Sequence, residues 1–375
     1  MRYPRLHTTR QFRDGYTAEE SCIRWCNYYH LLRTVVHLHA GWLPRTAPID
    51  VKVLFGIHLH EDANFARRIH SRLKELGFET DPAPAPCAKI REILETLASL
   101  ETWQEYAACV YGVIKPGMID AWETHFVTAD PLLDEPSTRL LAALLRVASQ
   151  HINGGMVLVE SLIAEDHAQA ATINRATSRV RSLWCEMGSD PTHLPHENTV
   201  AGNQHIMAGI TAPARESFCR VSDGTSNGNG HGTDTNITAL LHECLHAKIL
   251  AAEIYALTLH EHPGFPCELH EELTRQVWDA VRHARAIENM MNLLQVQWGD
   301  HPVNLALYAQ LADGDLVRRF ELLDTERRAM SEVLGRSIAA LATDPDHKRL
   351  TAAIDYFRAD DELHARQEKF WFGKK

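Results

Sequence analysis

Acidic residues and histidines set on the apolar stripes of four consecutive amphipathic segments constrain this chain more than any other feature. In the C-terminal segment Leu350, Ile354, Phe357, Asp361, His364, Glu368 and Trp371 recur at steps of four and three. A helix with that period turns Asp361 and His364 to the side that Ile354 and Phe357 take into a core. A carboxylate buried there without a partner costs several kcal/mol, so the pattern asks for a counter-charge, and a metal ion is the partner that also recruits imidazole.

The three preceding segments read the same way. Over 236–261 the stripe runs Leu240, Glu243, His246, Leu250, Glu253, Leu257, with Thr235 as N-cap and His262-Pro263-Gly264 as the stop. A helix over 266–298, ending at Gly299, carries Leu269, Glu272, Gln276, Ala280, His283, Ile287, Met290 and Leu294 in line, with Asp279 at the margin one turn before His283. Over 314–342 the line is Leu316, Phe320, Leu323, Glu326, Met330 and Leu334. Glu326 is thus its acidic member, while Glu321 falls about 100° from Phe320, on the solvated side.

From Glu243 to His283 is 40 positions and from Glu326 to His364 is 38. Each interval allows one helix, a turn and a return to the same depth, the layout of di-iron carboxylate bundles, in which two helices give one Glu each and two give Glu-x-x-His. At HECLHAKILAAEI, RQVWDAVRHA and ADDELHA the chain resembles the ferritin-like superfamily. More narrowly it is similar to a poorly characterised bacterial family of ferritin-like proteins distantly related to the tRNA-modifying di-iron hydroxylase. The likeness covers about 236–375 and, more weakly, the N-terminal half.

The resemblance implies an all-α protein whose C-terminal ferritin-like four-helix bundle holds a non-haem metal centre. Its metal ligands would be Glu243, His246, His283, Glu326, Asp361 and His364, with Asp279 and Glu253 as secondary candidates. It implies iron, as two ions or a mixed Mn/Fe pair, with O2 as co-substrate for oxidation of a small organic molecule, and a separate reductase as a candidate electron donor. The chain departs from the pattern at Ala280, where a Glu is expected, and at Asp361, where the acid is shorter. Asp279 is the replacement candidate, and His246 adds a nitrogen that the plain pattern lacks. A di-iron centre with altered ligands, a Mn/Fe pair, and a single metal with a weak second position all stay open.

The N-terminal half reads as a second helical bundle, metal-free and degenerate. Thr17 with Glu20 forms a capping box for a helix to about Ala40. Helices follow at 49–76, 87–100, 102–128 and 137–152, and Asn153-Gly154-Gly155 ends the last. His58, Glu61, Asp62 and Phe65 resemble part of a ligand motif, but Asn64 stands where His would be needed, and Ser149, Gln150 and His151 have no acid on their stripe. The resulting division is 1–155 for this bundle, 156–235 for a helix (156–187) and a Gly/Asn-rich linker, and 236–375 for the metal bundle. SDGTSNGNGHGTDTN is too polar and Gly-rich to bury a core; a substrate lid at this place is the alternative to a plain linker.

At 375 residues with 45% hydrophobic content the chain can bury two cores. No apolar run reaches the 18 residues of a membrane span and the start is polar, so a cytoplasmic protein without membrane association is expected. A net charge of −11 argues against tracking a phosphate backbone, with Arg175, Arg179 and Arg181 the best basic cluster. Eight scattered cysteines without Cys-x-x-Cys suit reduced thiols. Cys22, Cys26 and His30 share a helix face, either as core packing or as a soft-metal patch. A homodimer is compatible with the sequence. His242-Glu243-Cys244-Leu245-His246 also satisfies the zinc-peptidase spacing, with Glu243 as base; that alternative leaves Glu326, Asp361 and His364 unexplained. A further alternative is a non-catalytic metal-binding or structural helical protein. No phosphate loop, nucleophile elbow, dinucleotide fingerprint, flavin or Fe–S motif is present.

Overall fold

A computed structural model describes residues 15–78, 87–165, 167–186, 237–298, 303, 305–341 and 348–373. Their regular structure is helical, and they contain no β-strand. The helices are α1 (Ala18–Arg45), α2 (Ile49–Glu75), α3 (Ala88–Ala98), α4 (Trp103–Cys109), a π-helical turn (Val110–Ile114), α5 (Lys115–Thr128), α6 (Glu135–Glu165), α7 (His167–Glu186), α8 (Ile237–Glu261), α9 (Cys267–Leu293), α10 (Ala306–Ala312), α11 (Leu316–Leu341) and α12 (Lys348–Phe372). None is long and apolar enough to cross a membrane. The Gly/Asn-rich tract, Thr235 and Gly299 lie outside the described residues, as does most of the expected linker.

The described residues form two compact units whose limits differ from the sequence boundaries. Residues 15–35 and 64–186 make one, and 36–63 with the described part of 237–373 the other. The final third of α1 and the first half of α2 therefore count with the C-terminal helices. His58 and Asp62, read from sequence as relics of an N-terminal ligand motif, are buried in the second unit.

In the first unit, Thr17 starts α1 with the expected box: Glu20 N donates to Thr17 Oγ1 at 3.2 Å and Thr17 N to the Glu20 carboxylate at 2.8 Å. Trp25, Tyr28, Tyr106 and Tyr111 are fully buried. The expected break at Asn153-Gly154-Gly155 does not occur, and α6 runs through it to Glu165. A Cβ at Gly155 would lie 2.1 Å from Cγ of Tyr111, so the glycine serves close packing inside a helix rather than ending one. The expected helix over 156–187 is instead the end of α6 followed by α7. Lys115, buried just after the π-helical turn, donates to Nδ1 of His151 at 2.8 Å. Cys22 and Cys26 are core residues, and burial, with Cys22 adjacent, pushes the Cys26 thiol up to about 12.

In the second unit α8 packs on α9 and α11, and α12 packs on the same two, giving a helical bundle. Leu241, Leu245, Leu250, Leu273, Val277, Ala280, Phe320, Leu323, Ile354 and Phe357 fill its core together with Val36, Leu43, Val53 and Leu59. Asp315 begins α11 by accepting from Arg318 N at 2.9 Å. Helix α9 stops at Leu293, five residues before the predicted end. The reason is a Schellman closure with Gln295 in the left-handed region (φ 57): Val296 N donates to Met291 O at 2.9 Å and Gln295 N to Asn292 O at 3.1 Å, while Met291 and Val296 are buried together. The stop carries no glycine signal in the sequence.

Candidate metal centre

The interior of the second unit contains a cavity of about 310 Å³. Helix α8 contributes Glu243, His246, Lys248 and Tyr255; α9 gives Ala280 and His283; α11 gives Glu326 and Arg327; α12 gives Asp361 and His364. All six primary ligand candidates from the sequence thus line one cavity. Depth divides them. His283 and His364 are 1% and 3% exposed, His246 is half-buried, and Glu243 and Glu326 stand exposed at the mouth.

The two deep imidazoles are held by a reciprocal exchange between α9 and α12. Nε2 of His283 lies 3.0 Å from Asp360 Oδ2, and Nε2 of His364 lies 3.1 Å from Asp279 Oδ2. Each Asp precedes the His of its own helix by four positions, so Asp279-x-x-x-His283 and Asp360-x-x-x-His364 clasp one another across the interface. Burial, reinforced by the Lys248 and Arg282 charges, holds His283 far below the usual imidazole range, so its ring is neutral. Its Nε2 therefore donates to Asp360 and its lone pair lies on Nδ1, which is buried and has no hydrogen-bond partner among the described residues. Burial alone would raise Asp279, but hydrogen bonds from His364, Arg275 and Arg282 outweigh it and keep the carboxylate ionised. Arg282 bridges both acids, at 2.7 Å to Asp279 and 2.5 Å to Asp360.

Lys248 reaches in from α8 and places Nζ 2.8 Å from each oxygen of Asp361. Deeper along the wall, Arg327 pairs with Glu368 at 2.5 Å, and the buried Tyr255 hydroxyl donates to the same carboxylate at 2.8 Å. Burial, with the Glu368 charge beside it, raises the Tyr255 phenol well above its ordinary range, so it stays protonated. At the mouth Glu243 and Glu326 have neither ion pair nor hydrogen bond among the described residues. Desolvation, with the neighbouring Glu243 charge, raises Glu326.

Carboxylates and imidazoles are donor types that bind iron or manganese. Carboxylates that accept from the second ring nitrogen are the usual outer support of histidine ligands. The partnerless Nδ1 of His283 and the two uncompensated glutamates are groups that a cation would satisfy. The donors form a cavity wall rather than a closed coordination sphere: among the described residues no three His, Cys, Asp or Glu side chains are grouped to hold a metal.

The secondary candidates have other partners. Asp279 supports His364 instead of lining the cavity. Glu253, fully buried, pairs with Lys52 at 2.9 Å away from the cavity. His242 and His246 both stack on Trp298, with centroids 4.7 and 6.5 Å apart, but of the two only His246 lines the cavity with Glu243. Asp360 and Lys248 were not singled out from the sequence. The signal for Asp360 is there, since both histidines carry Asp at the fourth position before them; nothing in the pattern marks Lys248. No family model, curated protein or solved structure matches the chain.

Proposed function

We propose that the second unit is a ferritin-like, carboxylate- and imidazole-lined bundle that holds a non-haem redox metal, iron or manganese, and that the protein is an O2-dependent oxidoreductase acting on a small organic molecule. The observation that carries this reading is the convergence of Glu243, His246, His283, Glu326, Asp361 and His364, from four helices, on one cavity. Carboxylate and imidazole donors without thiolate suit iron or manganese. When bound, the metal supplies activation of dioxygen for oxidation of the organic substrate.

The chain's own groups define the rest. Asp360 and Asp279 fix the rings of His283 and His364 through Nε2, which keeps Nδ1 of His283 available as a donor. Glu243 and Glu326 place negative charge at the mouth, where a cation enters. Leu250, Ala251, Leu307, Leu323 and Met330 give the cavity an apolar wall, and its volume is at the small end of ligand sites, so the substrate is compact with an apolar body. Tyr255 holds a proton against Glu368, and the Glu368–Arg327 pair keeps that end of the cavity charge-balanced. That His242 does not line the cavity with Glu243 and His246 favours this reading over a zinc peptidase.

The test is anaerobic loading of the full chain with Fe(II), removal of excess, and exposure to O2. Retained iron with an oxygen-dependent absorption band and O2 consumption supports the oxidoreductase. Retained iron that consumes no O2 would make the protein a non-catalytic metal binder, and retained zinc in place of iron, lost on His242→Ala, would favour the peptidase.

A further inference from the structure

We propose that the cavity takes a compact carbonyl compound, a ketone, ester or tertiary amide with an apolar body, whose oxygen docks between Lys248 and Arg327. The inference rests on the oxidoreductase reading above for calling this ligand the substrate, and it adds the chemical class of the head group. The binding itself involves no metal.

Hydrogen-bond capacity decides the class. Lys248 on α8 and Arg327 on α11 both line the cavity, and each side chain is 10% exposed. An ammonium has three N–H donors and a guanidinium five. Lys248 Nζ gives one to each oxygen of Asp361 at 2.8 Å, and its other contact, the Phe357 ring, is 5.9 Å away. Arg327 Nη2 donates to Glu368 at 2.5 Å and, more weakly, to the Tyr255 hydroxyl at 3.4 Å, while Nη1 reaches the Asp361 carbonyl at 3.4 Å. Its Nε makes no hydrogen bond among the described residues. The acceptors, by contrast, are engaged: both Asp361 carboxylate oxygens face Lys248, and the two Glu368 oxygens accept from Tyr255 and Arg327. Two cavity-lining groups therefore hold more donors than the acceptors beside them use, and a poorly solvated donor without a partner is costly.

Charge narrows the choice. Lys248 is paired with Asp361, and Arg327 with Glu368 and, at 3.6 Å, Asp324. Donors are in surplus while positive charge is not, so the head group accepts hydrogen bonds without adding a negative charge. A carboxylate would add one, and would have to pass Glu243 and Glu326 at the mouth. An ammonium would bring donors where acceptors are needed. A carbonyl oxygen offers two lone pairs and no net charge, and Leu250, Leu323 and Met330 supply apolar surface for the rest of the molecule.

The test uses four single-ring probes of similar size on the full chain in EDTA: acetophenone, ethylbenzene, benzoate and benzylammonium, with dissociation constants from ligand-observed NMR titrations. Acetophenone is expected to bind about tenfold tighter than ethylbenzene, the effect of one well-made hydrogen bond, and the two charged probes no tighter than ethylbenzene. Arg327→Lys keeps the charge opposite Glu368 but loses the planar fork, and should cut the acetophenone preference to about threefold or less. Ala280→Leu fills the cavity and should abolish binding of both neutral probes. Equal affinities for acetophenone and ethylbenzene in wild type would overturn the head-group assignment, as would benzoate or benzylammonium binding tightest, or no probe binding at all. Undiminished acetophenone binding to Ala280→Leu, with helicity unchanged by circular dichroism, would place the ligand outside the cavity and overturn it too. Should either variant fail to fold, the wild-type ranking still decides the head group. Iron retention and O2 uptake are read separately. An acetophenone preference in a protein that retains no iron would overturn the oxidoreductase reading and leave this site standing, whereas O2-consuming iron without the preference would overturn this inference alone.

Discussion

Asp279→Asn isolates the contribution of the interhelical clasp. The native carboxylate is fully buried and accepts from Arg275 Nε at 2.8 Å, Arg282 at 2.7 Å and His364 Nε2 at 3.1 Å. The two guanidinium groups are 37% and 41% exposed, so solvent screens their share; the His364 contact is buried at both ends. Hydrogen bonds to charged groups contribute about 1.5–3 kcal/mol each when buried, which with two discounted partners puts the loss of folding stability near 2–4 kcal/mol. The functional effect is separate. An amide presents either oxygen or nitrogen to Nε2, so the His364 tautomer is no longer fixed, and loss of such a partner weakens metal binding about 10–100-fold. Urea denaturation reads the first quantity and competitive Mn(II) titration the second, with Asp360→Asn as the mirror-image variant acting through His283. Were the stability to fall while Mn(II) affinity in both variants stayed within twofold of wild type, the two aspartates would be packing elements only, and the support argument would fail.

Other substitutions and conditions test separate parts of the account. Glu253→Gln removes the buried carboxylate that pairs with Lys52 at 2.9 Å and should cost about 3–5 kcal/mol in urea denaturation without changing Mn(II) affinity; an affinity loss would return Glu253 to the ligand set. Acid should destabilise the fold through its neutral histidines. Burial, with the Arg275 charge close by, holds His60 down at about 4 against the usual 6.5, and His283 is lower still. A group whose folded pKa is depressed contributes stability that is complete above its unfolded value and lost as pH falls, so His60 alone should remove about 2 kcal/mol between pH 6.5 and 4 after allowance for partial solvation. A thermal midpoint flat across that window would contradict the neutral assignment. Gly155→Ala pushes a methyl into the buried Tyr111 ring and should cost about 1–3 kcal/mol, whereas Gly112→Ala, with nothing within 4 Å, should be near neutral in the same melt.

Much of the second unit was legible in the sequence because its helices obey the 3.6-residue period. The stripe Ile354, Phe357, His364 and Glu368 is buried as read, and the stop at His262-Pro263-Gly264 falls where α8 ends. What escaped reading depends on tertiary context. Gly154-Gly155 looks like a breaker because glycine weakens isolated helices, yet a neighbouring tyrosine ring needs the space that a side chain would fill. The end of α9 at Leu293 is set by a Gln in the left-handed region, a conformation that local propensity assigns to glycine or asparagine.

Site residues divide along the same line. Face assignment followed from periodicity, and all six primary candidates line the cavity. Pairing did not, because periodicity places a residue on a face without saying which neighbour it meets. Asp279 therefore read as a ligand where it supports His364, Glu253 read as a ligand where Lys52 neutralises it, and Lys248 went unnoticed although it engages Asp361 directly. The division at 155 and 235 followed composition, whereas the compact units divide α1 and α2, and no composition shift falls inside a continuous helix.

The most direct measurement of the central claim is an anomalous difference map from crystals of the full chain grown with Mn(II). The account predicts a peak inside the cavity bounded by Glu243, His283, Glu326 and His364, and its absence after Glu243→Gln combined with Glu326→Gln. A cavity without a peak in crystals whose Mn(II) sits elsewhere on the chain, or a peak bound by His242, would contradict it.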